Sequence, residues 1–295
     1  MKKIVAMLMM AAMTLTLLTG CGSAPAQTTA ADTQAPETAD TQTETTQADT
    51  QAETTQAADS DLAYIQNKGT LVVGMTDFAP MDYKEAGSDE WVGFDADMAR
   101  AFAASLGVDV EFVEITWSRK DTELKAMTID CVWNGMTLTD GVLSTMSCSK
   151  PYCLNGQVVV LPKDKAEQYQ TEESIKELFF AVEAGSAGEK VLTEMGLDFL
   201  PVDKQSKALM EVAAGTADAC VIDLLMAGAM IGEGTDYTNL TYTVQLNSEE
   251  YGVGFRQESD LTELLNAFFA QAYADGSMME RAKKYGVQES IIPQE

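Results

Sequence analysis

Residues 129 to 142 read IDCVWNGMTLTDGV, and this stretch indicates the fold. Its first part, IDCVW, is typical of a strand buried on both faces, and its second part is a loop rich in glycine and hydroxyl groups. In open α/β sheets, ligands bind at the carboxyl ends of strands. The loop after Trp133 is therefore a candidate binding site.

Strands and helices alternate along the chain before this stretch. GTLVVGM (69–75) and VDVEFVEI (108–115) read as strands, whereas FDADMARAFAASLG (94–107) and DTELKAM (121–127) read as helices. In the longer helix, Asp95 is the expected N-cap and Gly107 the expected C′ residue. The alternation predicts an α/β fold with mainly parallel sheets flanked by helices.

The same pattern continues after Pro151. QVVVLP (157–162), FFAVEAG (179–185) and ACVIDLL (219–225) read as strands, and GEKVLTEMG (188–196), KQSKALMEVAAG (204–215) and LTELLNAFFAQAYADG (261–276) read as helices. A helix, a short turn and an Asp before a strand occur in both halves, which predicts two similarly built units.

The N-terminus carries an export signal. Residues 1–20 have two lysines followed by a short apolar run, as in a secretory signal peptide. Leu18-Thr19-Gly20-Cys21 resembles a bacterial lipobox, in which Cys21 becomes the lipidated N-terminus. The rest of 21–60 is dominated by Thr, Gln, Ala, Asp and Glu, which predicts a disordered tether.

Composition excludes several classes of function. The chain has 46 acidic and 19 basic residues and a formal net charge of −27, which argues against a nucleic-acid partner. It has no histidine, so Ser-His-Asp triads, Cys-His pairs and histidine-based zinc sites are excluded. We expect no metal and no cofactor. Cys131 and Cys220 read as buried thiols, and pairing of Cys148 with Cys153 is left open.

Several phrases together resemble the family 3 extracellular solute-binding proteins, the polar amino-acid receptors of ABC importers. They include VGMTDFAPMDY, EWVGFDADMARAF, IDCVWNGMTLTD, VEAGSAGEKVL and YGVGFR, and the resemblance extends over residues 62–290. It implies a monomeric, two-lobed clamshell of the periplasmic-binding-protein type II class, with two hinge crossovers near residues 155 and 249. The first lobe would comprise 61–155 and 249–295, and the second lobe 156–248.

In the first lobe, the resemblance assigns five residues to the ligand. Asp77 and Phe78 lie on the first turn, Trp117 follows a strand, and Gly135 and Thr137 offer a backbone amide and a hydroxyl to the α-carboxylate of an amino acid. The alternatives are that the aromatic residues belong to the core and that the loop groups only satisfy the local backbone.

The chain departs from the family where an arginine normally clamps that carboxylate, because this position is Val142. Burial of a carboxylate without a matched cation costs several kcal/mol. Arg119 and Lys120 are the candidate substitutes, and we favour Lys120 because its neighbours place it near the cleft mouth. Either could instead be a solvated surface charge.

In the second lobe, Ser186 and Ala187 open a helix whose first amides are expected to complete the carboxylate site. Asp223 matches the acid that holds the ligand's ammonium group, and the alternative is that it caps the next helix. Tyr251 begins the returning strand and could line the cleft or pack beside it.

These expectations favour a lipid-anchored receptor on the outer face of the cytoplasmic membrane. It would capture a small polar solute, an amino acid or a relative, and deliver it to an ABC permease and its ATPase without catalysing a reaction. The alternatives are a dehydratase-type enzyme on the same fold and a surface solute sensor.

Overall fold

The structure, a computed structural model, describes residues 60–295. The predicted signal peptide, Cys21 and the predicted tether up to residue 59 lie outside the described residues.

The described chain contains strands and helices in alternation, as the sequence predicts. The strands are β1 (Thr70–Met75), β2 (Tyr83–Lys84), β3 (Trp91–Val92), β4 (Asp109–Glu114), β5 (Cys131–Thr137), β6 (Ser147–Cys148), β7 (Cys153–Asn155), β8 (Gln157–Pro162), β9 (Phe180–Glu183), β10 (Phe199–Val202), β11 (Ala219–Asp223), β12 (Leu240–Gln245) and β13 (Glu249–Phe255). The α-helices are α1 (Asp61–Lys68), α2 (Phe94–Ser105), α3 (Lys120–Lys125), α4 (Asp140–Thr145), α5 (Ala187–Met195), α6 (Gln205–Ala214), α7 (Leu224–Met230), α8 (Leu261–Ala274) and α9 (Ser277–Lys284).

The first lobe is built on a six-stranded sheet in the order β4-β1-β5-β13-β6, with β7 also paired to β13. Strands β4, β1 and β5 are parallel, and β13 runs antiparallel to β5. The second lobe is built on a five-stranded sheet in the order β10-β9-β11-β8-β12. There β10, β9 and β11 are parallel, whereas β8 and β12 join antiparallel. Each sheet is therefore mixed rather than mainly parallel.

Two crossovers connect the sheets. The chain leaves the first sheet between β7 and β8, at residues 155–157, and returns to it between β12 and β13, at residues 245–249. The crossovers touch each other, because Gln157 N–H donates to Asn247 Oδ1 at 2.7 Å and Leu246 N–H donates to the Gln157 carbonyl at 2.8 Å. This arrangement places the carboxyl ends of both parallel trios on either side of a common cleft.

An aromatic core holds the first lobe together. Trp133 on β5 is completely buried, and its ring packs edge-on against Phe102 of α2 and Phe269 of α8, at centroid distances of 6.3 and 5.6 Å. Edge-to-face pairs of this kind add about 0.5–1.5 kcal/mol beyond area burial. The carboxyl end of β5, which follows Trp133, is therefore anchored in a rigid core.

The expected N-cap of α2 is wrong. Gly93 is the N-cap, and Asp95 lies one residue inside the helix with its side chain completely buried. The carboxylate accepts hydrogen bonds from the Tyr152 hydroxyl, at 2.7 and 2.8 Å, and from Gly135 N–H, at 2.7 Å. Asp95 therefore ties α2 to the end of β5 instead of capping its own helix. The loop predicted directly after Trp133 begins only after Thr137, because β5 pairs with β13 up to that residue.

All four cysteines in the described part of the chain are free, Cys148 and Cys153 included. No helix within residues 60–295 is long and apolar enough to cross a bilayer.

Candidate functional site

A cavity of about 530 Å³ lies between the two lobes, at the carboxyl ends of the strands. Eight of the residues singled out from the sequence line it: Phe78, Trp117, Lys120, Gly135, Thr137, Ser186, Ala187 and Asp223. The volume is that of a site for a small organic molecule. The structure thus gathers residues that are up to 145 positions apart in the sequence, from Phe78 to Asp223, around one space.

The wall contributed by the first lobe includes an apolar surface beside its polar groups. Phe78 and Trp117 are only 3% and 7% exposed, and Val142, where an arginine was expected by resemblance, is 8% exposed. Val142 packs in one cluster with Trp117, Met136 and Met146. This wall offers hydrocarbon and aromatic surface to a ligand.

The polar groups at the carboxyl end of β5 are bonded within the protein. Gly135 N–H donates to Asp95, as described above, and the Thr137 hydroxyl donates to Glu249 Oε1 at 2.9 Å. Asn134 accepts from the Thr76 amide and hydroxyl at 3.0 and 2.8 Å. In this conformation, these groups therefore serve the local structure, which is the alternative stated in the sequence analysis.

The structure distinguishes the two candidate cations. Lys120 is 7% exposed and lines the cavity, whereas the Arg119 side chain is 65% exposed and lies 3.8 Å from Glu123. The Lys120 ammonium lies over the Trp117 ring, 4.7 Å from its centroid, and donates to the Gly185 carbonyl at 3.1 Å. Burial lowers the pKa of Lys120. Of the two candidates, Lys120 is thus the one that lies in the cleft, and its ammonium group already has protein partners.

The second lobe presents the start of α5 to the cavity. Ser186 is the N-cap, and its hydroxyl accepts from Glu189 N–H at 3.1 Å. The Glu189 carboxylate in turn accepts from Gly185 N–H at 2.7 Å. Two of the first donors of the turn are therefore satisfied by a capping residue and an acid of the same helix. Ala187 lines the cavity as the first residue of the helix.

Asp223 lies at the end of β11 and is 4% exposed. Its carboxylate makes no capping bond to the helix that follows. Oδ1 instead accepts from Asn155 Nδ2 at 2.5 Å, from Gln157 Nε2 at 3.0 Å and from the Tyr251 hydroxyl at 2.6 Å, and Oδ2 accepts from Gln205 Nε2. Asp223 is therefore held rigidly at the cavity surface by donors from behind it.

A second acid, Glu249, shares two of these donors. Its Oε1 accepts from Asn155 Nδ2 at 2.7 Å and from Gln157 Nε2 at 2.8 Å. Burial and the neighbouring Glu249 charge raise the pKa of Asp223 to about 8. Since Asn155, Gln157 and Glu249 all belong to the crossovers, the hinge and the site are one hydrogen-bonded network.

Tyr251 and Asp77 lie outside the cavity lining. Tyr251 is completely buried behind Asp223, which it orients through its hydroxyl. Burial raises the pKa of Asp77, and its charged neighbours are Lys204, Glu114 and Lys84. Direct contact of Asp77 or Tyr251 with a ligand stays a prediction.

Glu183 is a cavity residue that the sequence reading missed. It ends β9, is 2% exposed and lines the cavity. Its Oε1 is buried and has no hydrogen-bond partner among the described residues. Burial, with a smaller contribution from Asp223, raises the pKa of Glu183 to about 8. The sequence did contain a signal for this residue: it is an acid at the end of a buried strand, directly before the turn at Ala184.

The lobes touch at the mouth of the cleft. Gly185 has a φ of 76°, and a Cβ at this position would lie 2.7 Å from the Ser118 Cα of the opposite lobe, so only glycine fits. Beside it, Lys204 of the second lobe forms an ion pair with Glu114 of the first lobe. The described conformation is therefore closed.

Within the described residues, no group of Cys, Asp and Glu side chains has the arrangement of a metal site. The chemistry of the cleft lies in hydrogen bonds, aromatic surface and buried charge.

The comparisons with known proteins agree with this geometry. The sequence model of the bacterial extracellular solute-binding proteins, family 3, matches residues 71–288. The chain belongs to this family. The predicted family is confirmed, as are its two-lobed α/β fold and its substrate-binding role.

Among the curated members of this family, the arginine-binding extracellular protein ArtP of Bacillus subtilis is 26% identical over 225 residues, covering 74% of this chain and 86% of ArtP. An ArgBP mutant from T. maritima is similar in structure, with a TM-score of 0.71 and 31% identity, over 77% of this chain and 99% of that one. An ancestral amino-acid-binding protein, AncCDT-1, described as a precursor of cyclohexadienyl dehydratase, has a TM-score of 0.70 and 29% identity, over 77% and 99%. The relatives therefore include binding proteins and one ancestor of an enzyme.

Proposed function

We propose that this solute-binding protein is the receptor of an ABC importer for a small polar solute, an amino acid or a close relative. The cleft supports this most directly: a cavity of about 530 Å³ lies between the lobes and presents the buried Asp223 carboxylate to its interior. A ligand that contacts both walls stabilises the closed state, and closure is the change that a permease can detect.

A thermal-shift screen of the purified full chain tests the proposal. The panel contains the twenty amino acids, short peptides and the amines derived from amino acids. A ligand at one hundred times its Kd adds about 2.7 kcal/mol to the free energy of unfolding. For a protein of this size, that corresponds to roughly 5–10 °C in Tm. A panel in which no compound raises Tm would contradict the proposed function.

The lipid anchor belongs to the same proposal. It rests on the lipobox-like LTGC sequence ending at Cys21. Cys21→Ala should release the protein from the membrane fraction, because the acylated sulfur is lost, whereas Ser23→Ala should leave the protein in that fraction. Retention of the Cys21→Ala protein would contradict lipid anchoring.

An enzyme is the second candidate, and one observation favours it. Asp223 and Glu183 line the same cavity, and both have a pKa raised to about 8, so each can hold a proton at neutral pH. A protonated carboxyl is a general acid, as a dehydratase requires. Product formation from a compound that raises Tm, lost in Glu183→Gln, would support the enzyme. Stoichiometric binding without product would support the receptor.

A further inference from the structure

The charges around the cavity are predominantly negative. Five carboxylate side chains line it, against two lysines: Asp121, Glu183, Glu189, Glu194 and Asp223, against Lys120 and Lys190. No arginine is among the lining residues in the described part of the chain. A cavity of this composition attracts a cation and opposes the entry of an anion.

Two of the donors expected at a ligand carboxylate, and the neighbouring Gly185 amide, are already bonded to carboxylates of the protein. Gly135 N–H is held by Asp95, the Thr137 hydroxyl by Glu249, and Gly185 N–H by Glu189. A ligand carboxylate would have to break these bonds, and it would leave a buried acid without its donor. These three donors thus form hydrogen bonds with acids of the protein itself.

The two lysines are engaged in the same way, and Lys190 forms an ion pair with Glu194 at 2.6 Å. Lys120 donates to the Gly185 carbonyl, and its nearest charged neighbours are Asp121, Glu183 and Glu189. Val142 supplies only hydrocarbon where an arginine would clamp a carboxylate. None of these residues supplies an unpaired positive charge to a ligand.

Two acids, by contrast, face the cavity, and one of them has an oxygen without a hydrogen-bond partner among the described residues. Glu183 is only 2% exposed, and its Oε1 has no hydrogen-bond partner among the described residues. A buried oxygen of this kind destabilises the protein unless something binds to it. Asp223, the other acid, ends the neighbouring strand β11, which pairs directly with β9. The two carboxylates therefore form one subsite.

We propose that the ligand is an organic cation without a free carboxylate, an amine or a guanidine, and that Glu183 determines this preference. The cationic group lies at Glu183 and Asp223, and the hydrocarbon part lies against Val142 and Trp117. This inference rests on the proposed function, since it names the class of solute that the receptor captures.

Matched pairs of compounds test the inference, because they differ only in the α-carboxylate. Calorimetric titration of the full chain compares agmatine with arginine, cadaverine with lysine, and histamine with histidine. We expect at least one amine to bind, and to bind at least tenfold more tightly than its amino acid. Glu183→Gln should weaken that binding tenfold or more, whereas Glu173→Gln, which removes an exposed acid outside the cavity, should change it less than twofold.

The outcomes separate this inference from the proposed function. Tighter binding of arginine, lysine or histidine than of the matching amine overturns the inference and leaves the receptor intact. Binding of a neutral amino acid but of no amine has the same meaning. If no compound in the thermal-shift panel binds, both proposals fail. An unchanged Kd in Glu183→Gln, with the same Tm as the unsubstituted chain, removes Glu183 from the subsite.

Discussion

The first lobe contributes the aromatic and aliphatic surface of the cleft together with Lys120, whereas the second lobe contributes two buried acids. Trp117 and Val142 represent the apolar surface, and Glu183 and Asp223 are the acids. Both sets of residues follow strands of similarly arranged parallel trios, so the topology does not cause the difference. Topology fixes where a site forms, and a few side chains at the strand ends fix which charge it accepts.

The largest effect should follow removal of the acid that is most firmly held. Asp223→Asn keeps the shape of the side chain but removes its charge. Loss of one member of a buried charge pair costs about 2–5 kcal/mol, so a cationic ligand should bind at least ~30-fold more weakly. Calorimetry with the tightest ligand of the panel measures this loss. Asp164→Asn, an exposed acid of the same lobe, serves as the control. Equal affinity in both variants would mean that the acidic wall does not bind the cation.

The second prediction concerns Val142, on the apolar surface of the first lobe. Val142→Arg introduces a cation where the family has one, and its planar group can bind a carboxylate with two hydrogen bonds. The ratio of the Kd for agmatine to that for arginine should rise by about tenfold or more, which corresponds to 1.4 kcal/mol. Val142→Met retains the apolar wall and should leave the ratio unchanged. A constant ratio in Val142→Arg would show that this position does not contact the carboxylate end of a ligand.

Proton binding gives a third test. Burial raises the pKa of both Glu183 and Asp223 to about 8, from ordinary values of 4.5 and 3.8. Between those limits the folded state binds more protons than the unfolded state, so the ligand-free protein should lose stability as pH rises from about 5 to 8. Each kcal/mol lost lowers Tm by roughly 2–4 °C in a protein of this size.

The charged neighbours of both acids shape this response. Asp223, Lys120 and Lys204 act on Glu183, and Glu249 and Tyr251 surround Asp223. Glu183→Gln removes one titrating group and should flatten the decline in Tm, while Glu173→Gln should not. A Tm that stays constant from pH 5 to 8 in the unsubstituted chain would indicate that both acids are ionised when folded.

The smallest effect is expected at the cleft mouth. The ion pair between Lys204 and Glu114 is about 40% exposed on each side, and exposed pairs contribute about 0–1 kcal/mol. Lys204→Ala should therefore weaken ligand binding by less than about fivefold, because it affects closure and not ligand contact. Lys176→Ala breaks an exposed pair with Glu173 inside one lobe and should have no effect on Kd. A much larger loss in Lys204→Ala would place this lysine in contact with the ligand.

Much of the fold could be predicted from the sequence, because it depends on local patterns. The runs at QVVVLP and ACVID form strands β8 and β11, and Gly107 adopts the positive φ, 75°, that suits a helix end. Lys120, rather than Arg119, lies at the cleft, as its neighbours in the sequence suggested. The relative directions of the strands within each sheet were harder to predict, because strand pairing depends on contacts between distant segments.

The site was predictable only in part, for the same reason. Phe78, Trp117 and Asp223 were located by the resemblance of the sequence around them to the family. That Gly135 donates to Asp95 depends on the packing of α2, 40 residues away, and Glu249 and Asp223 share donors only because the crossovers bring them together. No local pattern reports such long-range bonds.

The shared donors at the crossovers have a further consequence. Asn155 and Gln157 each bridge Asp223 and Glu249 from the short segment about which the lobes would rotate. Opening of the cleft would shift these amides and thereby alter how readily Asp223 gives up its proton. Because burial is the main cause of the raised pKa of Asp223, opening the cleft would favour loss of its proton, and the acidity of the surroundings becomes a second variable in the balance between the open and closed states.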